Sequence, residues 1–229
     1  MKYNTQKVLY YSKMTEQLCL EDINKRIKQE ISYETLEELS DTKLISEYKN
    51  CNSVKNRIKT LEEILEKYIE DDIKTKILRE YLLQLIPPGT KGVIRGNRFN
   101  NLVKQFIKKL ELDLNRFEIC FEKKCEYHLT SEIPDWYILE KSSNKIIIGM
   151  NQLDLWGGGH QLNRGSKYLE NNEHNTEHSK LLCVICNEIE FKSEKNKAFK
   201  LFQTGFKNNT LCYINNLHQI ITSYFSIKD

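Results

Sequence analysis

What the sequence lacks narrows its class first. No apolar run approaches the roughly 20 residues needed to cross a bilayer, so no membrane span is expected. The opening stretch has no apolar segment followed by small residues, so a secretory leader is not expected and an intracellular, cytoplasmic protein is. The cysteines, Cys19, Cys51, Cys120, Cys125, Cys183, Cys186 and Cys212, number seven. An odd count in such a chain argues against a disulfide framework and for small buried hydrophobes. A dominant charge is missing too: 35 basic residues nearly cancel 32 acidic ones, leaving +3. Any polyanion partner must therefore be held by local clusters of Lys and Arg. Alanine and glycine are scarce beside Lys, Asn and Ile, a codon-usage pattern that says nothing about fold. Internal repeats and low-complexity linkers are absent. With 39% hydrophobic and 29% charged residues, what remains is a globular composition.

Residues 14–86 read as helical. Leu18, Ile23 and Ile27 recur at helical spacing, as do Leu36, Leu39, Leu44 and Ile45. Ile58, Leu61, Ile64, Leu65 and Tyr68 form another stripe, and Ile73, Ile77, Tyr81 and Leu85 a further one. Pro87-Pro88-Gly89 ends this region, because proline cannot continue a helix. This divides the chain into a helical N-terminal region, 1–89, packed on a core, 90–229. The core opens with a turn and an amphipathic helix presenting Phe99, Leu102, Val103 and Phe106. Strand-like runs follow at 117–122, 135–140 and 144–156, then a helix from His160, a buried apolar strand from Leu181, and a tail with a short strand and a helix. That order predicts a mixed α/β (α+β) sandwich.

The chemistry concentrates in residues 131–169. Pro134-Asp135 opens a strand, a polar turn (Lys141 to Asn144) reverses the chain, and a second strand returns. Alternation along that strand puts Ile146, Ile148, Met150, Gln152 and Asp154 on one face. The hairpin then brings Gln152 and Asp154 towards Asp135. Two carboxylates and an amide oxygen suit a hard cation such as Mg²⁺. Gly157-Gly158-Gly159 comes next, then His160, Gln161, Asn163, Arg164 and Lys167 at the start of a helix. Glycines let backbone approach a phosphate, and a helix N-terminus favours an anion. Gln and Asn pair with adenine edges, Arg and Lys with phosphate or guanine. Each residue has a plainer role: Asp135 as a strand opener, Gln152 and Asn151 as partners of buried backbone, the glycines as a turn, Arg95 and Arg98 as surface charges. The strand–hairpin–glycine–basic-helix order taken jointly favours function.

These segments resemble the PD-(D/E)XK nuclease class, and specifically type II restriction endonucleases. Pro134-Asp135 matches the motif's first acid. The second strand carries no Glu-x-Lys or Asp-x-Lys. Gln152 is similar to members with Gln at the Lys position, and the second acid is then Asp154, Glu132 or Glu140. The run QLDLWGGGHQLNRGSKY (152–168) resembles a segment of these enzymes. Residues 91–103, KGVIRGNRFNNLV, resemble their helix beside the active site, with Asn100 where many members carry Glu. The matching segments span about residues 90 to 170. The resemblance implies a restriction-endonuclease-like mixed sheet flanked by helices. It implies Mg²⁺ held by Asp135 and Asp154, and sequence-specific hydrolysis of double-stranded DNA. It also implies a homodimer, with Arg95, Arg98, His160, Gln161, Asn163, Arg164 and Lys167 on DNA. A DNA-binding relative without catalysis is the alternative, and a helical interaction module is a third reading.

A competing constellation is His174, His178, Cys183 and Cys186, all zinc-ligand types. The two cysteines lie in an apolar run that reads as a strand, where positions i and i+3 face opposite sides.

Overall fold

The computed structural model describes residues 18–127, 132–155, 159–170 and 176–227. The chain divides into two compact units, a sheet unit of 1–32 with 103–229 and a helical unit of 33–102. The sheet unit is a mixed α+β structure. Its strands are β1 (Phe117–Phe121), β2 (Trp136–Glu140), β3 (Lys145–Asn151), β4 (Ser179–Ile185) and β5 (Leu211–Tyr213), in the spatial order β1-β2-β3-β4-β5. β1–β2 and β2–β3 pair antiparallel, whereas β3–β4 and β4–β5 pair parallel. Parallel neighbours need crossovers. The first carries the helix Gly159–Leu169 and the second Lys197–Asn208.

Burial explains the strands. β4 is an apolar run whose residues Leu181 to Ile185 are at most 1% exposed, as a strand covered on both faces requires. β1, at the edge, buries Phe117 and Cys120 and exposes Glu118, with Ile119 and Phe121 half-buried. The turn between β2 and β3 falls at 141–144, as expected, with Asn144 at φ 56°, a conformation that Asn tolerates. The ladder stops at Asn151, short of the expected 156. From Leu153 on, the chain bonds residues beyond β4 instead: Asn187 N donates to Leu153 O at 3.1 Å.

Numbered along the chain, the helices before the sheet are α1 (Leu20–Glu30), α2 (Tyr33–Glu38), α3 (Asp41–Asn50), α4 (Asn52–Leu65), α5 (Asp71–Leu85) and α6 (Pro88–Lys109). Those after it are α7 (Gly159–Leu169), α8 (Lys197–Asn208) and α9 (Ile214–Tyr224). The unit boundary differs from the expected one at 89 in two ways. α1 belongs with the sheet unit, because Ile23 and Ile27 are fully buried and Asn24 exchanges hydrogen bonds of 2.8 and 2.9 Å with the backbone of Phe191. Arg26 also stacks 4.2 Å over the Phe206 ring. At the other boundary the helical unit runs on to Leu102, within α6, and Pro88 opens that helix rather than only ending what precedes it. A proline at the first helical position loses no intrahelical hydrogen bond.

The helical unit holds α2 to α5 and the first part of α6. Leu44, Tyr48, Val54 and Ile86 form its buried cluster, with Ile45, Ile58 and Ile94 against it. Asp41 ties its helices together, accepting from Tyr48 Oη at 2.9 Å and Lys91 Nζ at 2.9 Å. No helix of the described residues is long and apolar enough to cross a membrane.

Candidate active site

The site grows from the end of the β2–β3 hairpin. Trp136 pairs with Gly149 in register, and the indole lies across that glycine. A Cβ at Gly149 would sit 1.9 Å from the ring, so no larger residue fits. The buried indole Nε1 donates to Asn151 Oδ1 at 3.0 Å, which satisfies two polar groups that burial would otherwise penalise. Asn151 thus has a structural partner.

Asp135 immediately precedes β2. Its backbone N donates to Gly149 O at 3.1 Å, extending the ladder by one bond. Its carboxylate then turns onto the partner strand, where Oδ2 accepts from Asn151 N at 2.6 Å. The backbone bond to Gly149 O falls on the residue that Trp136 already faces, so the regular register ends at Trp136 and strand alternation does not fix the face of Asp135. Gln152 donates its backbone N to Val184 O at 2.9 Å. Its side chain is buried, and Oε1 has no hydrogen-bond partner among the described residues. Leaving a buried acceptor unmatched costs roughly 1–3 kcal/mol, so this oxygen is ready to accept from, or ligate, an external group. Asp154 is half-buried and lies three residues past the strand. Strand alternation therefore does not fix its face.

α7 supplies the opposite charge. Arg164 Nη2 lies 3.9 Å from Asp135 Oδ2, and Lys167 Nζ bonds Glu132 Oε1 at 2.8 Å. The two bases, three apart on the helix, each meet an acid of the segment that leads into β2. One turn on, Tyr168 is buried. Burial raises its hydroxyl pKa above the usual range, with Arg164 lowering it and Glu132 and Asp135 raising it further. The Cys183 thiol on β4 is likewise raised, first by burial, with Arg164 pulling down and Asp135 pushing up. Asp135, Arg164, Glu132, Lys167 and Tyr168 are thus electrostatic neighbours. Sequence reading missed Tyr168, although its i+4 spacing from Arg164 is a usable signal.

Other candidates are placed elsewhere. Glu140 closes β2, so one strand length, about 16 Å at 3.3 Å per residue, separates it from Asp135. It bonds Arg116 Nε at 2.7 Å and also Ser143 Oγ. Arg95 and Arg98 belong to the helical unit. There Arg98 pairs with Glu38, and the charge of Arg95 acts on Asp41 and Tyr48. Asn163 is exposed on α7. The side chains of His160 and Gln161, and residues Trp156, Gly157, Gly158 and His174, lie outside the described residues. Of the zinc constellation, Cys183 is wholly buried in β4, and Cys186 Sγ faces Leu153 O at 3.7 Å. Among the described residues no three His, Cys, Asp or Glu side chains converge as a metal-binding group. All seven cysteines are free thiols.

The donors at the hairpin end are oxygens, a carboxylate and an orphaned buried amide oxygen. This set suits a hard cation that keeps several waters. No family model, curated protein or solved structure matches the chain.

Proposed function

We propose that the chain is a Mg²⁺-dependent type II restriction endonuclease on a restriction-endonuclease-like sheet, cutting both strands of DNA at a specific sequence. The observation that carries this reading is the meeting of Asp135, at the mouth of the hairpin, with Arg164 from the helix that follows the glycine run. Asp135 with Gln152 and Asp154 would hold the ion, which when bound supplies positive charge to the attacked phosphate and the leaving oxygen. The hydrogen bond from Asn151 N orients the Asp135 carboxylate before any ligand arrives. Arg164, half-buried beside it, is placed to hold a phosphate oxygen. The exposed Asn163 is free to meet a base edge.

A second reading, a DNA-binding protein without catalysis, is favoured by the same contacts. Asn151 N and Arg164 already balance Asp135, and Lys167 already balances Glu132. Plasmid incubated with the pure protein and Mg²⁺ or EDTA separates the readings. Discrete bands with Mg²⁺ alone support the nuclease. Retarded but uncut DNA supports the second reading, and unretarded, uncut DNA sinks both.

A further inference from the structure

The antiparallel hairpin of α4 and α5 in the helical unit is built unlike the rest of the chain. Its outer face is apolar but uncovered. A groove of about 440 Å³ runs between the helices, lined by Asn56, Arg57, Thr60, Leu61, Ile64 and Leu85. Continuing the same stripes, Ile64, Ile73 and Tyr81 are about half exposed, and Tyr68 is 80% exposed. An uncovered apolar stripe with large side chains marks a contact surface.

Charge is also sorted along this hairpin. The tip, residues 62–72, holds six acids (Glu62, Glu63, Glu66, Glu70, Asp71, Asp72) and one base, Lys67. The arms, 52–61 and 73–85, hold six bases (Lys55, Arg57, Lys59, Lys74, Lys76, Arg79) and one acid, Glu80. Ion pairs within the hairpin draw Lys74 to Glu66 at 3.3 Å and to Asp71 at 2.9 Å. Lys59 meets Glu63 at 3.8 Å across the border. Tip and arms nevertheless differ by opposite net charges of equal size.

We infer that this hairpin is the surface through which two copies of the chain associate, antiparallel about a twofold axis, the acidic tip of each against the basic arms of the other. A twofold interface must be complementary to itself. A surface with one apolar stripe and two equal, opposite charged ends meets that demand in the antiparallel orientation. In the parallel orientation like charges oppose each other. The same pairing carries Tyr68, at one copy's tip, towards the groove on the other copy's arms. An aromatic anchor in a pocket is the usual centre of such an interface. A nucleic acid along this face would meet the six tip acids, so a second copy fits better than a polyanion.

The inference does not rest on the nuclease reading, since association is measured without DNA or metal. Sedimentation equilibrium of the full chain should show a dimer that weakens as salt rises. The tip variant Glu62→Lys/Glu63→Lys/Glu66→Lys and the arm variant Lys55→Glu/Arg57→Glu/Lys59→Glu should each weaken self-association at least tenfold. Mixed one to one, they should restore a dimer, because each then meets the opposite charge. Tyr68→Asp, at an exposed position, should weaken association without altering the tip–arm pattern of the other residues. Circular dichroism should show all variants folded. A wild-type chain monomeric at every concentration overturns the inference. So does a charge variant that still dimerises, or a mixture that does not. Loss of DNA retardation in the arm variant of a monomeric chain would assign the face to nucleic acid instead.

Discussion

The sheet unit and the helical unit handle their apolar residues in opposite ways. In the sheet unit, β4 and the Ile146–Ile148 segment of β3 are covered on both faces. Phe199 and Phe202 of α8 pack edge to face on Phe191. In the helical unit the buried cluster is small, and a stripe of Ile and Tyr stays in water along α4 and α5. Polar residues follow the same division. In the sheet unit one polar group gathers around Asp135 at one end of a hairpin, and another, Glu140 with Arg116 and Ser143, lies at the other end. Those of the helical unit either knit helices together, as Asp41 does, or segregate by sign along a surface. A rigid, doubly covered sheet can hold side chains in fixed positions for chemistry. An open helical face offers area for a partner.

The strongest test of this contrast is at the hairpin end. Asp135→Ala should abolish cleavage while DNA binding stays within about tenfold, or 1.4 kcal/mol. Rates on plasmid and gel-shift titrations measure the two, and full activity in this variant would remove the site from the sheet unit. Next in size is Gly149→Ala. Its added methyl meets the Trp136 ring at 1.9 Å, so it should cost about 3 kcal/mol or more as an overpacked core, read by urea unfolding and Trp fluorescence. An unchanged midpoint would mean that the indole moves freely off the strand.

Glu140→Gln should cost about 1–3 kcal/mol at pH 7 through its charge-assisted hydrogen bonds. The Ser143 hydroxyl, and then Arg116 against the opposing effect of burial, hold this carboxyl below its ordinary range. A depressed folded pKa gives stability that is fully present above the unfolded value of about 4.3 and lost as pH falls through the folded value. The gap between wild type and variant in urea should therefore narrow on going from pH 7 to pH 3. A gap of constant size would show that charge plays no part.

Replacing Arg164 and Lys167 together with Ala should weaken binding to specific and random DNA alike. The slope of log affinity against log salt should flatten by about 0.9 per lost phosphate contact. If Arg164 reads a guanine edge instead, specific binding alone should fall, by about 1–3 kcal/mol. The smallest effect belongs to the open face. Tyr68→Ser should change the stability of the monomer by no more than about 0.5 kcal/mol, because the ring is already in water. A large loss in thermal melting at monomeric dilution would mean that this stripe serves the fold.

The local pattern of residues was enough to locate most elements. The helices through residue 86 are written in apolar spacings near 3.6, the strand at Leu181 in a continuous apolar run, and the strands at 117 and 135, the helix from His160 and the closing strand and helix in the residues that bound and fill them. The hairpin turn was legible in Lys141 to Asn144, and Asp135 in its place after Pro134. Tertiary structure alone decided where β3 stops, because Leu153 leaves the ladder for partners beyond β4, 33 residues further on. It decided that α1 belongs to the sheet unit, through contacts with Phe191 and Phe206 that no local pattern encodes. It separated Glu140 from Asp135 by the length of a strand, and it gave Arg164 and Lys167 acidic neighbours. Local periodicity reports which side of an element is apolar. Which element lies against that side, and which charges then meet, depends on packing between residues far apart in the chain.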